Sequence, residues 1–299
     1  KEGWLDILAR TKQQLGEDNL TVVAAGVAFY GFVAVVPALA ATVALYGLVA
    51  DPAQVNEQVT ALAQVVPGEA LPLLQEQMIR ITTDDQPAGI GAIVGVLIAV
   101  YSSANATKAL ISGLNIAYDE TEKRGFLKLT AIAIVLTIGA ILAASLAIGL
   151  VAFLPTLLKQ LHITQGVETL LNFVRWPLLV GGFMGSLAVL YRLGPCRHDA
   201  KWNWVSPGAI VAAALWLLGS AAFSLYVSNF ASYDQTYGPL GAVVVFLMWL
   251  FLSALAVLVG AEFNSELERQ TRRDTTEGVE KPLGQRGATS ADTVGPTRE

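Results

Sequence analysis

Charged residues, cysteine and histidine are all scarce in this chain of 299 residues. The charged fraction is 14%, whereas a soluble domain carries about a quarter. The single cysteine, Cys196, excludes a disulfide within the chain and a cysteine-based metal cluster. The two histidines, His162 and His198, fall in loops that we expect on opposite sides of a membrane, so they cannot share a metal ion. We therefore expect no metal and no other cofactor.

The sequence also lacks the signatures of common enzymes and of nucleic-acid-binding proteins. It contains no zinc-protease HExxH motif, no GxSxG nucleophile motif and no P-loop. The net charge is −5, and no basic cluster of the kind that binds nucleic acid is present. We expect the protein not to be an enzyme and not to bind nucleic acid.

Long apolar runs make up most of the chain, and 54% of its residues are hydrophobic. A helix that spans a bilayer needs about 20 consecutive, mostly apolar residues. Six segments meet this requirement and predict an all-α integral membrane protein with six transmembrane helices in a domain of residues 19–268. The segments cover about residues 21–50, 88–116, 127–154, 173–193, 205–227 and 238–263.

Lysine and arginine residues are distributed unevenly among the connections between these segments. With six spans, fifteen of the 19 Lys and Arg residues fall on the side of the N-terminus and three on the other side, and Lys108 lies within a span. Connections rich in Lys and Arg stay in the cytoplasm. We therefore expect both termini to be cytoplasmic.

Three segments outside the spans have distinct patterns. Residues 1–18 combine charge with apolar residues on one face, which predicts an amphipathic cytoplasmic leader helix. The first outside loop, at 51–87, has apolar residues at helical spacing and predicts amphipathic helices that either cover a cavity or pack on the helix ends. Residues 269–299 are rich in Thr, Gly, Pro and mixed charge, which predicts a disordered cytoplasmic tail.

The second predicted span carries a polar stripe. Six residues follow one another at intervals of three or four, which places them on one face of a helix: Tyr101, Asn105, Lys108, Ser112, Asn115 and Asp119. A stripe with a lysine is unfavourable against lipid, so we expect it to face other helices or a water-filled cavity.

Lys108 is the costliest member of the stripe, because a charge in the hydrocarbon region needs a partner or water. Either its ammonium snorkels to the interface, or it lies in a cavity and pairs with Glu262 of the last span. The candidate substrate-binding residues are Lys108, Asn105, Ser102, Asn115, Tyr101, Ser112, Glu262 and Ser224. Hydrogen bonding between helices is the alternative role of the neutral members, and the pair Gly181 and Gly185 favours a close helix contact.

The chain as a whole resembles the YihY/BrkB family of bacterial inner-membrane proteins, over about Asp6–Arg269. The resemblance is carried by AAGVAFYGFVAVVPAL (Ala24–Leu39), by the region of Asn105 and Asn115, and by YGPLGAVVVFLMWLFLSALAVLVGAEFNSELE (Tyr237–Glu268). It implies a six-helix fold and a multi-pass protein of the bacterial cytoplasmic membrane. Some members carried a ribonuclease BN label that is regarded as a misassignment, and members have been linked to serum resistance and to lipopolysaccharide export.

These observations lead to three functional hypotheses. The leading one is a transporter or flippase-like exporter of a lipid or envelope component, in which Lys108 meets an anionic lipid or a small anionic substrate. The second is a non-catalytic membrane scaffold involved in envelope integrity. The third, an enzyme with the ribonuclease label, is disfavoured by the missing metal-ligand pattern. Membrane lipids are the expected partners, and the sequence leaves a homo-oligomer open.

Overall fold

The computed structural model describes residues 2–49, 88–152, 165–229 and 239–296. Within these ranges every regular element is a helix, and the one β-bridge, between Ala200 and Thr276, is isolated. The helices are α1 Glu2–Glu17, α2 Leu20–Val49, α3 Ala88–Ala117, α4 Phe126–Ala152, α5 Gln165–Leu193, α6 Trp202–Asn229, α7 Pro239–Glu268 and α8 Thr289–Asp292.

The long helices have the length and composition of membrane spans. Five of them, α3 to α7, are long and apolar enough to cross a membrane, and the number becomes six if the bent pair α1–α2 is one span. This confirms the predicted all-α membrane fold. The structure begins α5 at Gln165 rather than near residue 173, because hydropathy marks only the apolar part of that helix.

The contacts between helices close a ring. α2 packs against α3 and α7, and the sequence neighbours α3–α4, α4–α5, α5–α6 and α6–α7 also pack against each other. α7 contacts α3 and α1 in addition. α4 buries Ala133 against α3 and turns other apolar side chains outward: Leu127 and Val135 are 82% and 64% exposed, as expected for a surface that meets lipid.

α6 and α7 pack closely where two glycines meet. A Cβ atom on Gly208 would lie 2.1 Å from the carbonyl oxygen of Gly260, so both glycines are required where the two backbones meet. The side chain of Asn264 lies in this contact: its Oδ1 accepts the N–H of Gly208 at 2.6 Å and its Nδ2 donates to the carbonyl of Val205 at 3.0 Å. Gly260 and Asn264, the first and last residues of the sequence GAEFN at 260–264, are therefore both needed for this helix contact.

The GxxxG pair of α5 does not mark a close contact. A Cβ atom on Gly181 or Gly185 would meet nothing within 4 Å in the described part of the chain. The reason is that the spacing of two glycines makes close approach feasible, but the partner helix must also turn a complementary surface toward them.

The structure describes the tail beyond α7 through residue 296, in a segment for which the sequence predicts disorder. The buried guanidinium of Arg286 donates to four main-chain carbonyls, those of Arg272, Arg273, Lys281 and Ala291. The Asp292 carboxylate accepts the N–H groups of Gly284, Arg286 and Gly287. These two side chains satisfy the polar backbone of a segment that composition alone assigns to disorder.

The leader is helical and packs on α7. Trp4 stacks on Phe263 with 6.4 Å between the ring centroids, and Arg10 forms an ion pair with Glu266 at 2.5 Å. α1 and α2 meet at a bend of 65°. The amphipathic helices predicted in the first outside loop lie outside the described residues.

Candidate functional site

Lys108 lies on α3, and its ammonium lies over aromatic rings of α3 and α4. Its Nζ is 5.6 Å from the ring centroid of Tyr101 and 5.0 Å from that of Phe126. Ser112 donates its hydroxyl hydrogen to the carbonyl of Lys108 at 3.0 Å. Tyr101 and Phe126 are themselves exposed, at 53% and 70%. The structure therefore brings Tyr101, Lys108 and Ser112 together on the outward side of the bundle.

Glu262 lies elsewhere and does not pair with Lys108 in the described residues. It is 1% exposed, and its Oε2 has no hydrogen-bond partner there. Ser224 is exposed on α6, while Ser102 and Asn105 are half-buried on α3. The structure thus separates the predicted site residues rather than assembling them around one cavity.

Asn115 is the member of the stripe that the structure buries, and it joins two connections. Its Oδ1 accepts the N–H of Cys196 at 2.7 Å, and its Nδ2 donates to Glu122 at 3.0 Å. Glu122 in turn pairs with Arg124 at 2.6 Å, and this guanidinium lowers the pKa of the Glu122 carboxyl to about 2. The Asn115 amide therefore helps to fasten the α3–α4 connection to the α5–α6 connection, together with Arg124, which donates to the carbonyl of Gly194 at 2.8 Å.

A second polar link ties the same region to the tail. Arg197 and Glu268 form a bidentate pair, with distances of 2.9 and 2.7 Å, and their side chains are 1% and 0% exposed. Thr275 donates to Glu268 at 2.6 Å, and Arg197 also lies 5.0 Å from the ring centroid of Tyr118. We call this region, comprising the connections 118–125 and 194–201 and the tail 269–296, the loop–tail junction.

A cavity of about 800 Å³ lies between the loop–tail junction and the first turns of α4. Its apolar wall consists of Ala131, Ile132, Val135, Leu136 and Leu193. Its polar mouth consists of Glu120, Lys123, Arg124, Lys128, Arg197, Asp199 and Asp292, beside small residues of α8 and of its approach. None of the eight predicted site residues borders this cavity.

Some basic side chains of the polar mouth have an ion-pair partner within the described part of the protein, and others do not. Arg124 and Arg197 are held by carboxylates, whereas neither Lys123 nor Lys128 has an ion-pair partner among the described residues. A cavity that combines an apolar wall with unpaired charge at one end can hold an amphiphile, whose two halves differ in the same way.

In the sequence, these basic residues indicate only the orientation of the spans. The signal that could have identified them is their position: Lys123 and Arg124 precede the predicted span 127–154, Lys128 lies at its start, and Arg197 follows the span 173–193. What no local pattern reveals is that the tail returns to close the cavity. In the described residues, no group of three His, Cys, Asp or Glu side chains could hold a metal ion.

A family model described as "Virulence factor BrkB" matches residues 11–283 of the chain. The "Putative ribonuclease-like protein YfkH" of Bacillus subtilis is 28% identical over 225 residues, which cover 74% of this chain and 81% of that protein. A "UPF0761 membrane protein" of Photobacterium profundum is 28% identical over 91% of this chain and 83% of its own length. Another, of Cronobacter sakazakii, is 29% identical over 92% of this chain and 94% of its own length. No solved structure matches the chain.

Proposed function

The chain belongs to the BrkB family of membrane proteins, and from that premise we propose that it transports an amphiphile with a charged headgroup across the bilayer. The observation that supports this is the cavity, whose apolar wall is formed mainly by the membrane-spanning helix α4 and whose mouth is formed by charged connections. Such a cavity offers one environment to acyl chains and another to a headgroup.

Entry from the bilayer follows from the exposure of the apolar wall. Val135 both lines the cavity and is 64% exposed, so the wall continues onto the outer surface of α4. An amphiphile that lies against α4 can therefore move its headgroup into the mouth while its chains stay in lipid. Since the sequence contains no P-loop, the energy for directed transport comes from a gradient or from a partner protein.

We place the cavity at the cytoplasmic face of a bacterial inner membrane, with both termini on that side. The excess of Lys and Arg in the same connections supports this orientation. In this arrangement the protein takes up its cargo from the cytoplasmic leaflet. The proposal includes no catalytic step and no metal.

The test is translocation of a fluorescent phospholipid in proteoliposomes, followed as the fraction of label that an external quencher reaches. Ala131→Trp places an indole in the cavity at an exposed position of α4, and we expect it to reduce the protein-dependent rate by about tenfold. Ala140→Trp changes an exposed alanine of the same helix outside the cavity and is the matched control. Equal rates for wild type and protein-free liposomes would overturn the proposal.

A scaffold without transport is the second candidate, and one observation favours it. Many polar groups of the bundle bind other parts of the protein, as Asn115 and Asn264 do. In that case purified protein moves no lipid, and Ala131→Trp and Ala140→Trp behave alike in every assay.

A further inference from the structure

We propose that the polar mouth binds the headgroup of a zwitterionic phospholipid, with the phosphate at Lys123 and Lys128 and the amine at Asp199. This inference rests on the amphiphile transport proposed above and names the class of cargo. Three observations support it: some charged side chains of the mouth have no partner among the described residues, these side chains come from different elements, and an apolar wall lies beside them.

The free positive charges are the two lysines. The other two basic side chains of the mouth are each held at short distance, Arg124 by Glu122 at 2.6 Å and Arg197 by Glu268 at 2.7 Å. The ammonium groups of Lys123 and Lys128 make no ion pair or hydrogen bond in the described part of the chain, and both residues are exposed. Two ammonium groups with three donors each suit the oxygens of a phosphate.

The free negative charge comes from a different element. Asp292 accepts three N–H groups of the tail, and Glu120 accepts the N–H of Thr289 at 2.6 Å. Asp199, in the α5–α6 connection, makes no side-chain hydrogen bond or ion pair within the described residues. The three carboxylates also offset the charge of the lysines, so the mouth does not favour a purely anionic headgroup.

The apolar wall identifies the rest of the ligand. Ile132, Val135 and Leu136 continue from the mouth along α4, over a stretch that a soluble zwitterion would leave uncovered. Acyl chains would cover it and gain from the burial of apolar surface. A phosphate and an amine joined to acyl chains describe an aminophospholipid.

The experiment measures lipid retention by the purified full chain in detergent, using native mass spectrometry after mixing with equimolar lipids of identical chains. The probes are dioleoyl phosphatidylethanolamine, dioleoyl phosphatidylglycerol and dioleoylglycerol, and phosphorylethanolamine is added separately as the soluble headgroup. For wild type we expect phosphatidylethanolamine to exceed phosphatidylglycerol, and both to exceed dioleoylglycerol.

Two variants test the assigned contacts. Lys123→Gln with Lys128→Gln should reduce retention of both phospholipids by about tenfold and leave dioleoylglycerol unchanged. Asp199→Asn should instead lower the ratio of phosphatidylethanolamine to phosphatidylglycerol by about fivefold, with total retention kept. The controls are Lys12→Gln with Lys281→Gln, and Glu280→Gln, which remove exposed charges outside the cavity.

Each result decides the proposal. Equal retention of dioleoylglycerol, an unchanged lipid ratio in Asp199→Asn, or retention of phosphorylethanolamine as tight as that of the phospholipids would overturn it. These outcomes leave the transport function standing if Ala131→Trp still slows translocation. Conversely, selective retention that Lys123→Gln with Lys128→Gln abolishes, in a protein that translocates nothing, would support the binding site and refute the transport.

Discussion

The polar stripe of α3 and the polar mouth of the cavity hold similar side chains but use them differently. On α3, Lys108 lies over two aromatic rings, and Asn115 joins two connections. In the mouth, Lys123 and Lys128 have no ionic partner among the described residues. A polar group on a membrane helix is therefore a weak marker of a ligand site when the protein supplies its partner. Unpaired charge beside an apolar cavity is a better one.

The largest effect should come from the buried ion pair of the loop–tail junction. Arg197→Met leaves the Glu268 carboxylate buried without a cation, with only the Thr275 hydroxyl still donating to it, and we expect a loss of about 3–5 kcal/mol in the free energy of unfolding. The measurement is an unfolding titration in mixed micelles. Arg272→Met removes an exposed guanidinium of the same tail and should change little. A loss below about 1 kcal/mol in Arg197→Met would mean that the junction does not depend on this pair.

A pair of glycine substitutions compares a helix contact that the structure forms with one that the sequence predicted. Gly208→Ala places a methyl group 2.1 Å from the Gly260 carbonyl oxygen, and the backbone there cannot turn away as a side chain would. We expect a loss of about 2–3 kcal/mol in the free energy of unfolding. Gly181→Ala meets nothing within 4 Å in the described residues and should cause no loss. Equal losses in both variants would show that the loss in Gly208→Ala does not come from the α6–α7 contact.

Much of the fold could be predicted from the sequence, but the candidate site could not. Runs of apolar residues determine where α3 and α4 lie, because the bilayer sets the length of a span. In the tail, the guanidinium of Arg286 donates to four main-chain carbonyls of the same segment. Hydrophobic periodicity in the sequence carries no information about such contacts. The cavity combines α4, two connections and the tail, far apart in sequence. The spacing on α3 correctly placed Tyr101, Lys108 and Ser112 on one face, but spacing does not say what that face contacts.

A smaller effect is expected from acid at the α3–α4 connection. Arg124 lowers the pKa of Glu122 from 4.5 to about 2, so the folded state binds this proton less readily than the unfolded state. The stabilisation is therefore complete above pH 4.5 and is lost as the pH falls toward 2. Hydrogen exchange should show falling protection factors for the amides of residues 118–125 and 194–201 in that range. Glu122→Gln should lower the protection already at neutral pH and remove its acid dependence. A wild-type protein whose protection is constant from pH 5 to 2 would refute this role.

The smallest effect should come from Lys108, and it separates the stripe from the mouth most directly. Lys108→Met removes the ammonium from the rings of Tyr101 and Phe126. Because both rings are exposed, the loss in the free energy of unfolding should be about 0.5–1 kcal/mol, which is typical of one cation–π contact at an exposed site. Lys108 does not border the cavity. The rate of lipid translocation in Lys108→Met should therefore remain within about twofold of wild type, which is a smaller change than the loss of one ordinary hydrogen bond would cause. Lys123→Gln with Lys128→Gln in the same proteoliposomes is the comparison, and there the rate should fall. If Lys108→Met instead stops translocation while the double variant moves lipid normally, the cargo passes along α3, and the cavity at the loop–tail junction is not its binding site.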